Sequence, residues 1–219
     1  MKSSSFDFST IENFDSHISS SISGYDLLKM LIFNISTFFM KEDSVVIDFG
    51  CTSGDLLIKL SNKNDNCKFI GFDKIESNFI NNDSVELIKK DITSKEFTIP
   101  KNNLSLCIFT LQFLPYDKRI ELLKKIYDSI DVGGALIICE KEIEESGAIQ
   151  EIFTFSNYSY KTENFSADEI LKKESQLRSS MKCLSEKENI KMLKKSGFKI
   201  ISCFFKSLSF KGYICIKEF

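Results

Sequence analysis

A short stretch near position 50 constrains the fold of this chain more than any other feature. The run Val45-Val46-Ile47-Asp48-Phe49 is apolar and largely β-branched apart from its acid, and the small residues Gly50-Cys51-Thr52-Ser53-Gly54 follow it. Leu56 and Leu57 then begin an apolar pattern with helical spacing. This order predicts a buried parallel strand, a tight loop and the start of a helix. In doubly wound α/β sheets, such a loop lies where a nucleotide-like ligand approaches the backbone.

The glycine spacing narrows the choice of ligand. A dinucleotide fingerprint reads G-x-G-x-x-G, whereas here Gly50 and Gly54 are separated by Thr52 at the middle position. No Gly-Lys-Ser/Thr ending follows, which excludes a P-loop. Asp48 lies two residues before the first glycine and suits a cationic ligand better than a pyrophosphate. S-adenosylmethionine (SAM) carries an ammonium and a sulfonium and no phosphate, so we expect SAM here. The alternative is a strand-to-helix turn that binds no ligand.

Size and composition are those of an ordinary globular protein. The chain has 219 residues, of which 42% are hydrophobic and 27% charged, and this fits a single domain over 1–219. The net charge of −2 gives no support for nucleic-acid binding, and we expect no membrane span and a cytoplasmic location. Seven cysteines without a C-x-x-C pair, together with the single histidine His17, predict free thiols and no metal site.

Alternating strand and helix patterns predict a mostly parallel α/β sheet of seven strands with a terminal antiparallel hairpin. We expect strands at 44–49, 66–73, 85–88, 104–109, 135–139, 198–205 and 213–217. Gly133-Gly134 is expected to turn the chain before the fifth strand. A hairpin turn at Lys211-Gly212 would leave an antiparallel strand at the edge of the sheet. Two regions depart from the alternation: a loosely held amino-terminal arm at 1–23, and an insert at 142–184 with helices at 142–155 and 167–184, which would form a lid or an interface.

Four strand ends should meet at one crevice, because the carboxyl ends of parallel strands share one edge of the sheet. Asp73 ends the second strand, where its carboxylate would accept both ribose hydroxyls of SAM. Asp91 follows the third strand, where it would accept a hydrogen bond from the adenine amino group. A lone acid at a strand end is more often a cap or a turn residue, but two of them beside the small-residue loop favour a ligand. The remaining predicted contacts are the loop residues Gly50, Cys51, Thr52 and Gly54 and the apolar residues Ile92 and Ile108.

Several stretches together resemble the class I SAM-dependent methyltransferases. The resemblance is sharper to one branch, the carboxy-S-adenosyl-L-methionine (carboxy-SAM) synthases of tRNA wobble-uridine modification. It extends from about Tyr25 to the carboxyl terminus. The matching stretches are Ser23-Gly24-Tyr25, Asp48 to Gly54, Asp65 to Lys68, Phe109-Thr110-Leu111-Gln112-Phe113-Leu114, Lys125-Ile126-Tyr127, Gly133 to Leu136, Glu140-Lys141 and Leu193 to Phe198.

The resemblance implies a Rossmann-like fold, a homodimer and a bound ligand that is SAM, S-adenosylhomocysteine or carboxy-SAM. It implies that the ligand is contacted by Tyr25, Gly50 to Thr52, Asp73, Lys74, Asp91 and Ile92. The apolar residues Ile149, Ile152, Phe153 and Phe155 of the insert are then either core or a subunit contact.

The chain departs from the family pattern at two positions. The family has an asparagine in the fourth strand where this chain has Ile108. It also has an arginine, which pairs with the extra carboxylate of carboxy-SAM, where ungapped matching places Glu174. This second change reverses a charge and removes a bidentate clamp. Lys173 is adjacent, but a lysine is not equivalent to an arginine at a bidentate site.

These departures leave three functions open. The first is a SAM-dependent methyltransferase with an unidentified small-molecule acceptor, which agrees with the lack of an evident nucleophile or triad because methyl transfer depends mainly on placement. The second is carboxy-SAM synthesis from SAM and prephenate. The third is a non-catalytic SAM-binding or scaffolding protein. The glycine spacing argues against a dehydrogenase.

Overall fold

The computed structural model describes residues 14–218 of the chain. Its strands are β1 (Val45–Phe49), β2 (Lys68–Asp73), β3 (Val85–Lys89), β4 (Asn102–Ile108), β5 (Ile130–Ile143), β6 (Leu184–Ser185), β7 (Ile200–Ser207) and β8 (Phe210–Ile216). Seven strands pair in the order β3-β2-β1-β4-β5-β8-β7, and the short β6 pairs with the end of β5. Only β8 runs against its neighbours, so the described sheet is mostly parallel, as predicted.

Seven α-helices accompany the described sheet. They are α1 (Phe14–Ser19), α2 (Tyr25–Thr37), α3 (Asp55–Ser61), α4 (Tyr116–Ser129), α5 (Gly147–Lys161), α6 (Ala167–Ser180) and α7 (Glu186–Lys195). Local capping explains where the last three begin. Ser146 accepts a hydrogen bond from the backbone of the first turn of α5, and reciprocal capping boxes join Ser166 to Glu169 and Ser185 to Glu188. In the described residues, no helix has the length and apolar character needed to cross a bilayer.

Strand β1 shows how the sheet divides the core into two layers. Ile47 and Phe49 belong to a cluster with residues of α4 and α7, whereas Val46 belongs to a cluster with residues of α2 and α3. All three side chains are fully buried, which is what a strand covered on both faces requires. Asp48 has the same parity as Val46 and therefore faces the α2 and α3 layer.

The carboxy-terminal hairpin differs from the sequence prediction in two ways. The antiparallel strand β8 lies inside the sheet between β5 and β7, and the edge strand β7 is parallel to β5. The turn is at Leu208 and Ser209, not at Lys211-Gly212, and Leu208 adopts a positive φ of 49°. Gly212 instead lies in β8 under the ring of Phe204, which a Cβ at Gly212 would approach to 2.7 Å. This glycine provides room for packing and does not form the turn.

Three other boundaries of strands and helices differ from the sequence prediction. Gly133-Gly134 does not end a segment, because β5 continues through both residues with a register shift opposite β4. The first insert helix starts at Gly147 and not at 142, because Glu142 and Ile143 still pair with β6. The second insert helix ends at Ser180 instead of 184.

The predicted loose arm at 1–23 is only partly described, since residues 1–13 lie outside the described range. Within the described part, α1 is helical and Ser21 and Ile22 are buried, so this portion is packed against the fold. The Tyr160 hydroxyl donates to the carbonyl of Ser19 at 2.7 Å and joins this portion to α5.

Candidate active site

The loop after β1 uses its own backbone donors. The N–H groups of Gly50 and Cys51 both donate to the carbonyl of Phe72, at 2.7 and 3.2 Å. The N–H of Thr52 donates to Asp73 Oδ2 at 2.9 Å. A phosphate-binding loop leaves such groups free for the anion. These three donors are already engaged, so the arrangement suits a ligand that does not present a phosphate to them.

Close packing explains the small residues of this loop. Gly50 has a φ of +81°, and a Cβ there would lie 2.4 Å from Thr110 Oγ1, in the loop after β4. A Cβ at Gly54 would lie 2.7 Å from Leu87 Cδ2, in β3. The loop after β1 is therefore packed between Leu87 of β3 on one side and Thr110 of the loop after β4 on the other, and the position of Thr110 is coupled to that of Gly50.

Asp73 has a structural role in addition to the predicted ligand role. Its Oδ2 accepts the Thr52 N–H, and its Oδ1 accepts the Ile75 N–H at 2.9 Å. The carboxylate thus fixes the loop after β1 and the turn after β2 in one arrangement. Each carboxylate oxygen has a second lone pair, so both could still accept a hydroxyl.

Asp91 and Lys74 are brought together as an ion pair. Lys74 Nζ lies 3.1 Å from Asp91 Oδ2, and both side chains are substantially exposed. Asp91 Oδ1 accepts both the backbone N–H and the hydroxyl of Thr93, at 2.9 and 2.6 Å. The hydrogen bonds from Thr93, followed by that from Lys74, lower the pKa of Asp91 to about 2. Asp91 is therefore ionised and also stabilises a turn, so the structural alternative weighed for it is realised in part.

Asp48 is the most unusual acid of the crevice. It is 5% exposed, and its Oδ1 has no hydrogen-bond partner in the described part of the chain. Burial, and secondarily the charge of Asp73, raise the pKa of Asp48 to about 7. A buried carboxyl oxygen without a partner is costly. A cationic ligand at this edge would offset that cost, because it would favour the ionised form.

Aromatic rings line one side of the crevice. The rings of Tyr25 and Phe109 are 6.5 Å apart, and Phe109 meets Phe210 edge to face at 5.9 Å. Phe109 holds a positive φ of 53°, which is uncommon for a bulky residue. Ile108 is partly buried beside these rings, whereas Ile92 is packed into the opposite core cluster. The contacts of Gly50 with Thr110, of Thr52 with Asp73 and of Lys74 with Asp91 bring the ends of β1 to β4 close together. That they bind one ligand stays a prediction, and Ile92 is a core residue.

Glu174 lies in a cluster of cations contributed by β5 and the insert helices. Its Oε1 is 2.6 Å from Lys161 Nζ, and its Oε2 is 3.8 Å from Lys141 Nζ. Burial raises the pKa of Glu174, but the charges of Lys141 and Lys161 outweigh it and hold the pKa below the ordinary value. Lys173 is directed elsewhere: its Nζ contacts Nε2 of His17 and lies 3.1 Å from the hydroxyl of Ser21. Lys173 therefore connects α6 to α1.

A cavity of about 370 Å³ lies between the end of β5 and helices α5 and α6. Its lining includes polar groups and aromatic rings from these elements. Asn157 is 5% exposed, and its Oδ1 has no hydrogen-bond partner among the described residues. Phe210 joins this cavity to the aromatic side of the crevice, because it also contacts Phe109. The residues that line the cavity include Lys141, Glu142, Phe153, Asn157, Tyr158, Glu174, Arg178 and Phe210.

Curated relatives match the chain over almost its whole length. A carboxy-S-adenosyl-L-methionine synthase of Staphylococcus epidermidis is 32% identical over 216 residues, which is 95% of this chain and 94% of the relative. The synthase of Campylobacter lari is 30% identical over 220 residues, covering 97% and 94%. This chain belongs to the carboxy-SAM synthase family. No protein-family model matches the sequence.

Solved structures place this member of the carboxy-SAM synthase family in the class I methyltransferase fold. Human N-acetylserotonin methyltransferase in complex with SAM aligns with a TM-score of 0.60 at 14% identity, over 89% of this chain and 55% of that one. The methyltransferase CalO1 of calicheamicin biosynthesis, in its SAH-bound form, aligns with a TM-score of 0.58 at 9% identity, again over 89% and 55%. At such identities the likeness shows the fold alone. The Rossmann-like class I methyltransferase fold expected from the sequence is thereby confirmed.

Sequence reasoning missed several polar residues that this family member places around Glu174. Lys161 and Asn157 are on α5, and Lys141 is at the end of β5, so all three are distant from Glu174 in sequence. Arg178 lies four residues after Glu174 on α6, which puts both on one face of the helix and was the one available signal. In residues 14–218, no group of three or more His, Cys, Asp or Glu is placed to hold a metal ion.

The ion pair of Glu174 and Lys161 gives a testable prediction. Both side chains are at least nine-tenths buried, so Glu174→Gln would leave a buried lysine without its partner. We expect a loss of about 3–5 kcal/mol in the free energy of unfolding at pH 7, measured by urea denaturation. Since the pKa of Glu174 is lowered in the fold, its stabilisation is present above the ordinary value of 4.5 and is lost as pH falls. The difference from wild type should therefore shrink in acid.

The control for this prediction replaces both partners, as Glu174→Gln with Lys161→Met. The double variant leaves no buried lysine at 161 without a partner, although Lys141 still loses its 3.8 Å contact with Glu174. We therefore expect it to recover part of the lost stability. Equal losses in the single and double variants would show that the pair is not what stabilises this region.

Proposed function

We propose that this member of the carboxy-SAM synthase family is a SAM-dependent transferase, and that it transfers the methyl group of SAM to a small-molecule acceptor. One observation supports this most strongly. The buried, unpartnered Oδ1 of Asp48 lies near the carboxyl end of β1. The backbone N–H groups of Gly50, Cys51 and Thr52 in the loop that follows already have acceptors within the protein. Such a site favours a cation over a phosphate.

The predicted contacts can be assigned to parts of SAM on this basis. The loop of Gly50 to Gly54 would approach the methionine portion, with Asp48 beneath it. Asp73 would accept the ribose hydroxyls with its second lone pairs. Asp91, held ionised by Thr93 and Lys74, would accept from the adenine amino group. The apolar contacts would come from Tyr25, Ile92 and Ile108.

Methyl transfer needs placement more than acid–base chemistry. A lone pair of the acceptor attacks the methyl carbon in line with the carbon–sulfur bond. That bond breaks, its electron pair stays on sulfur, and the sulfonium becomes a neutral thioether. The acceptor then loses its proton to water or to a nearby group. The contribution of this chain is to hold the two reactants in line and to exclude water.

We assign the acceptor to the cavity between β5 and the insert helices. Its rings Phe153, Tyr158 and Phe210 would pack against an apolar body, and the orphaned Oδ1 of Asn157 calls for a hydrogen-bond donor. Lys141, Lys161 and Arg178 surround the single carboxylate of Glu174, and Glu142 is balanced by Lys211 at 2.8 Å. The excess of positive charge supports an anionic acceptor with a hydroxyl or an amine.

Glu174 decides our preference for methyl transfer over carboxy-SAM synthesis. The resemblance places the carboxylate-binding arginine at this position, and here Glu174 occupies it with both oxygens directed at lysines. An added ligand carboxylate would compete with Glu174 for the same cations. Carboxy-SAM synthesis remains the second candidate, because the family membership and the remaining positive charge favour it.

The mass of the small molecule that copurifies with the protein separates the two reactions. Methyl transfer predicts SAM or S-adenosylhomocysteine, whereas the synthase predicts carboxy-SAM. Incubation with SAM and prephenate gives an independent test, because only the synthase would release phenylpyruvate. Carboxy-SAM in the extract together with phenylpyruvate in the assay would overturn methyl transfer and establish the second candidate. The third function, SAM binding without catalysis, would be supported if SAM binds and neither reaction is found with a broad acceptor set.

We further propose that the single domain over 1–219 forms a homodimer, as the resemblance implies. The exposed apolar face of α5 supports this, with Ile149, Ile152 and Phe155 between 39% and 68% exposed, while Phe153 is half-buried and packs near Lys206. Light scattering on Phe155→Glu would test it, because a charge at this face should shift the mass from dimer to monomer.

A further inference from the structure

A buried arginine bonds two segments on the acceptor side of the crevice. Arg119, in the first turns of α4, is 1% exposed. Its Nε donates to the carbonyl of Leu114 at 2.9 Å, and one terminal nitrogen donates to the carbonyls of Gln112 at 3.2 Å and Lys182 at 2.5 Å. The first two carbonyls belong to the loop after β4. The third belongs to the segment by which the insert returns to the sheet.

The same two segments are also joined to each other. The Lys182 N–H donates to the Gln112 carbonyl at 2.7 Å, next to the arginine. The side chain of Gln112 accepts the Lys141 N–H at 2.8 Å, and Glu140 Oε1 accepts the Leu111 N–H at 3.1 Å. The loop after β4 is therefore bonded both to β5 and to the exit of the insert, and Arg119 is the side chain that contacts both.

This loop also reaches the predicted SAM site. Thr110 lies so close to Gly50 that no Cβ fits between them, and Phe109 is held at a positive φ between the rings of Tyr25 and Phe210. A shift of the loop by a fraction of an ångström would therefore move the wall of the crevice. The exit of the insert bounds the cavity on the other side, since Met181 and Cys183 line it.

Burying the guanidinium of Arg119 carries a desolvation cost that packing alone would not require. The guanidinium is buried against carbonyl oxygens, and its second terminal nitrogen has no hydrogen-bond partner in residues 14–218. An apolar side chain of similar length would fill the space without the desolvation cost. What only a guanidinium provides is a fixed fork that bonds several carbonyls at once.

We infer that Arg119 is a positioning residue, which fixes the loop after β4 and the exit of the insert at the separation that SAM and the acceptor require. The inference depends on the proposed function for its ligand and on the hydrogen bonds alone for its geometry. It makes Arg119 responsible for the shape of the site and not for a chemical step.

The test compares Arg119→Lys with Leu123→Ala in the full-length protein. Lysine keeps the charge, but its three donors sit on one nitrogen, so it cannot reach the carbonyls of Leu114, Gln112 and Lys182 as the guanidinium fork does. We therefore expect SAM affinity, measured by calorimetry, to fall about tenfold or more. Leu123 is fully buried on the same helix and shares a core cluster with Leu111 of the loop, so its truncation removes packing near the loop and none of the loop's hydrogen bonds. Leu123→Ala should lower the melting temperature at least as much and leave the affinity within about twofold of wild type. Equal losses of affinity in both variants would overturn the inference.

A second pair of variants avoids the core. Lys182 is exposed, and Met181 before it is extended, with φ −93° and ψ 126°, which a following proline tolerates. Lys182→Pro removes the N–H donated to Gln112, whereas Lys182→Ala keeps every backbone bond. We expect the proline variant alone to weaken SAM binding. Unchanged binding in Lys182→Pro would count against the coupling of insert and loop.

Amide hydrogen exchange on the ligand-free protein distinguishes failure of this inference from failure of the proposed function. In Arg119→Lys, amides at 111–114 and 181–183 should both exchange faster than in wild type, while those of β1 should not change. If wild type binds no SAM but these two segments still loosen together, the proposed function fails and the positional role holds. If the two segments exchange as in wild type, the positional role fails whatever the ligand is.

Discussion

Asp48→Asn should stabilise the ligand-free protein at pH 8 and at the same time weaken its binding of SAM. Asparagine has nearly the shape of aspartate but cannot ionise, so it avoids the cost of a buried carboxylate. It also cannot balance the charge of a cationic ligand. We expect affinity to fall roughly 10- to 100-fold, the range for loss of a charge-assisted contact. A gain in stability with a loss of binding is the signature of a residue kept for function.

The pH dependence of stability follows from the raised pKa of Asp48. In the unfolded chain this group ionises near 3.8, and in the fold near 7. Between these values the folded state holds a proton that the unfolded state has lost, so the free energy of unfolding falls as pH rises and then levels off. The effect reaches about 4 kcal/mol at most. The variant should therefore match wild type near pH 4 and exceed it above pH 7.

Urea denaturation at pH 4, 6 and 8 measures this difference. Glu140, whose pKa burial raises to about 8, adds a slope of the same sign, but that slope is common to both proteins and cancels in the comparison. Asp55→Asn is the matched control, because Asp55 is a partly exposed acid just after the same loop, where it pairs with Lys59. A variant that is no more stable than wild type at pH 8 would mean that Asp48 already has a favourable environment.

The ionisation of Asp48 should also be visible in the pH dependence of SAM binding. A cation near Asp48 lowers its pKa, so SAM binding should release a proton below pH 7 and tighten as pH rises to that value. Calorimetry in two buffers of different ionisation enthalpy detects that proton. In Asp48→Asn both the proton and the pH dependence should disappear. A proton that persists in the variant would belong to another group.

Gly50→Ala should abolish SAM binding and destabilise the fold. An alanine at φ +81° costs about 1 kcal/mol. Its Cβ would also lie 2.4 Å from Thr110 Oγ1 and 2.7 Å from Cγ2, which forces the loops after β1 and β4 apart. We expect a total cost of about 2–4 kcal/mol in urea denaturation and a loss of at least roughly 100-fold in SAM affinity, since misplacement at a site costs on that order.

Two further variants separate backbone strain from the clash. Gly133 has a φ of +79° with nothing within 4 Å of a Cβ, so Gly133→Ala has the strain without the clash and should bind SAM normally. Adding Thr110→Ala to Gly50→Ala removes Oγ1 and Cγ2 and should restore part of the affinity. A Gly50→Ala protein that binds like wild type would show that the ligand does not depend on this loop.

Local patterns in the sequence predicted most of the sheet, because strands covered on both faces and amphipathic helices leave a periodic signal. The hairpin was mispredicted for a physical reason. The local pattern predicts a turn at Gly212, but the small size of this residue makes room for Phe204, and Leu208 takes the strained turn position instead. Which neighbours β8 would pair with depends on the whole sheet, and no local pattern records it.

The candidate site also contains features that the sequence predicts and features that depend on tertiary packing. The strand-end acids Asp73 and Asp91 could be found from the sequence, since Asp73 directly follows an apolar run and Asp91 follows the next predicted strand after two lysines. The hydrogen bonds that Asp73 accepts from Ile75 and Asp91 accepts from Thr93 are local, whereas the bond from Thr52 to Asp73 spans 21 residues and depends on the pairing of β1 with β2. The ion pair of Glu174 could not be predicted, because it depends on how α5 and α6 pack together. The sequence showed a reversed charge at Glu174, and the fold shows that Lys161 neutralises it.

The most direct test of this account is the titration of SAM into the purified full-length protein by calorimetry at pH 7. We predict saturable binding at one site per chain, competed by S-adenosylhomocysteine and lost in Gly50→Ala while Gly133→Ala retains it. No heat and no thermal shift from SAM, with a folded protein free of copurified ligand, would contradict the assignment of this crevice to a sulfonium ligand.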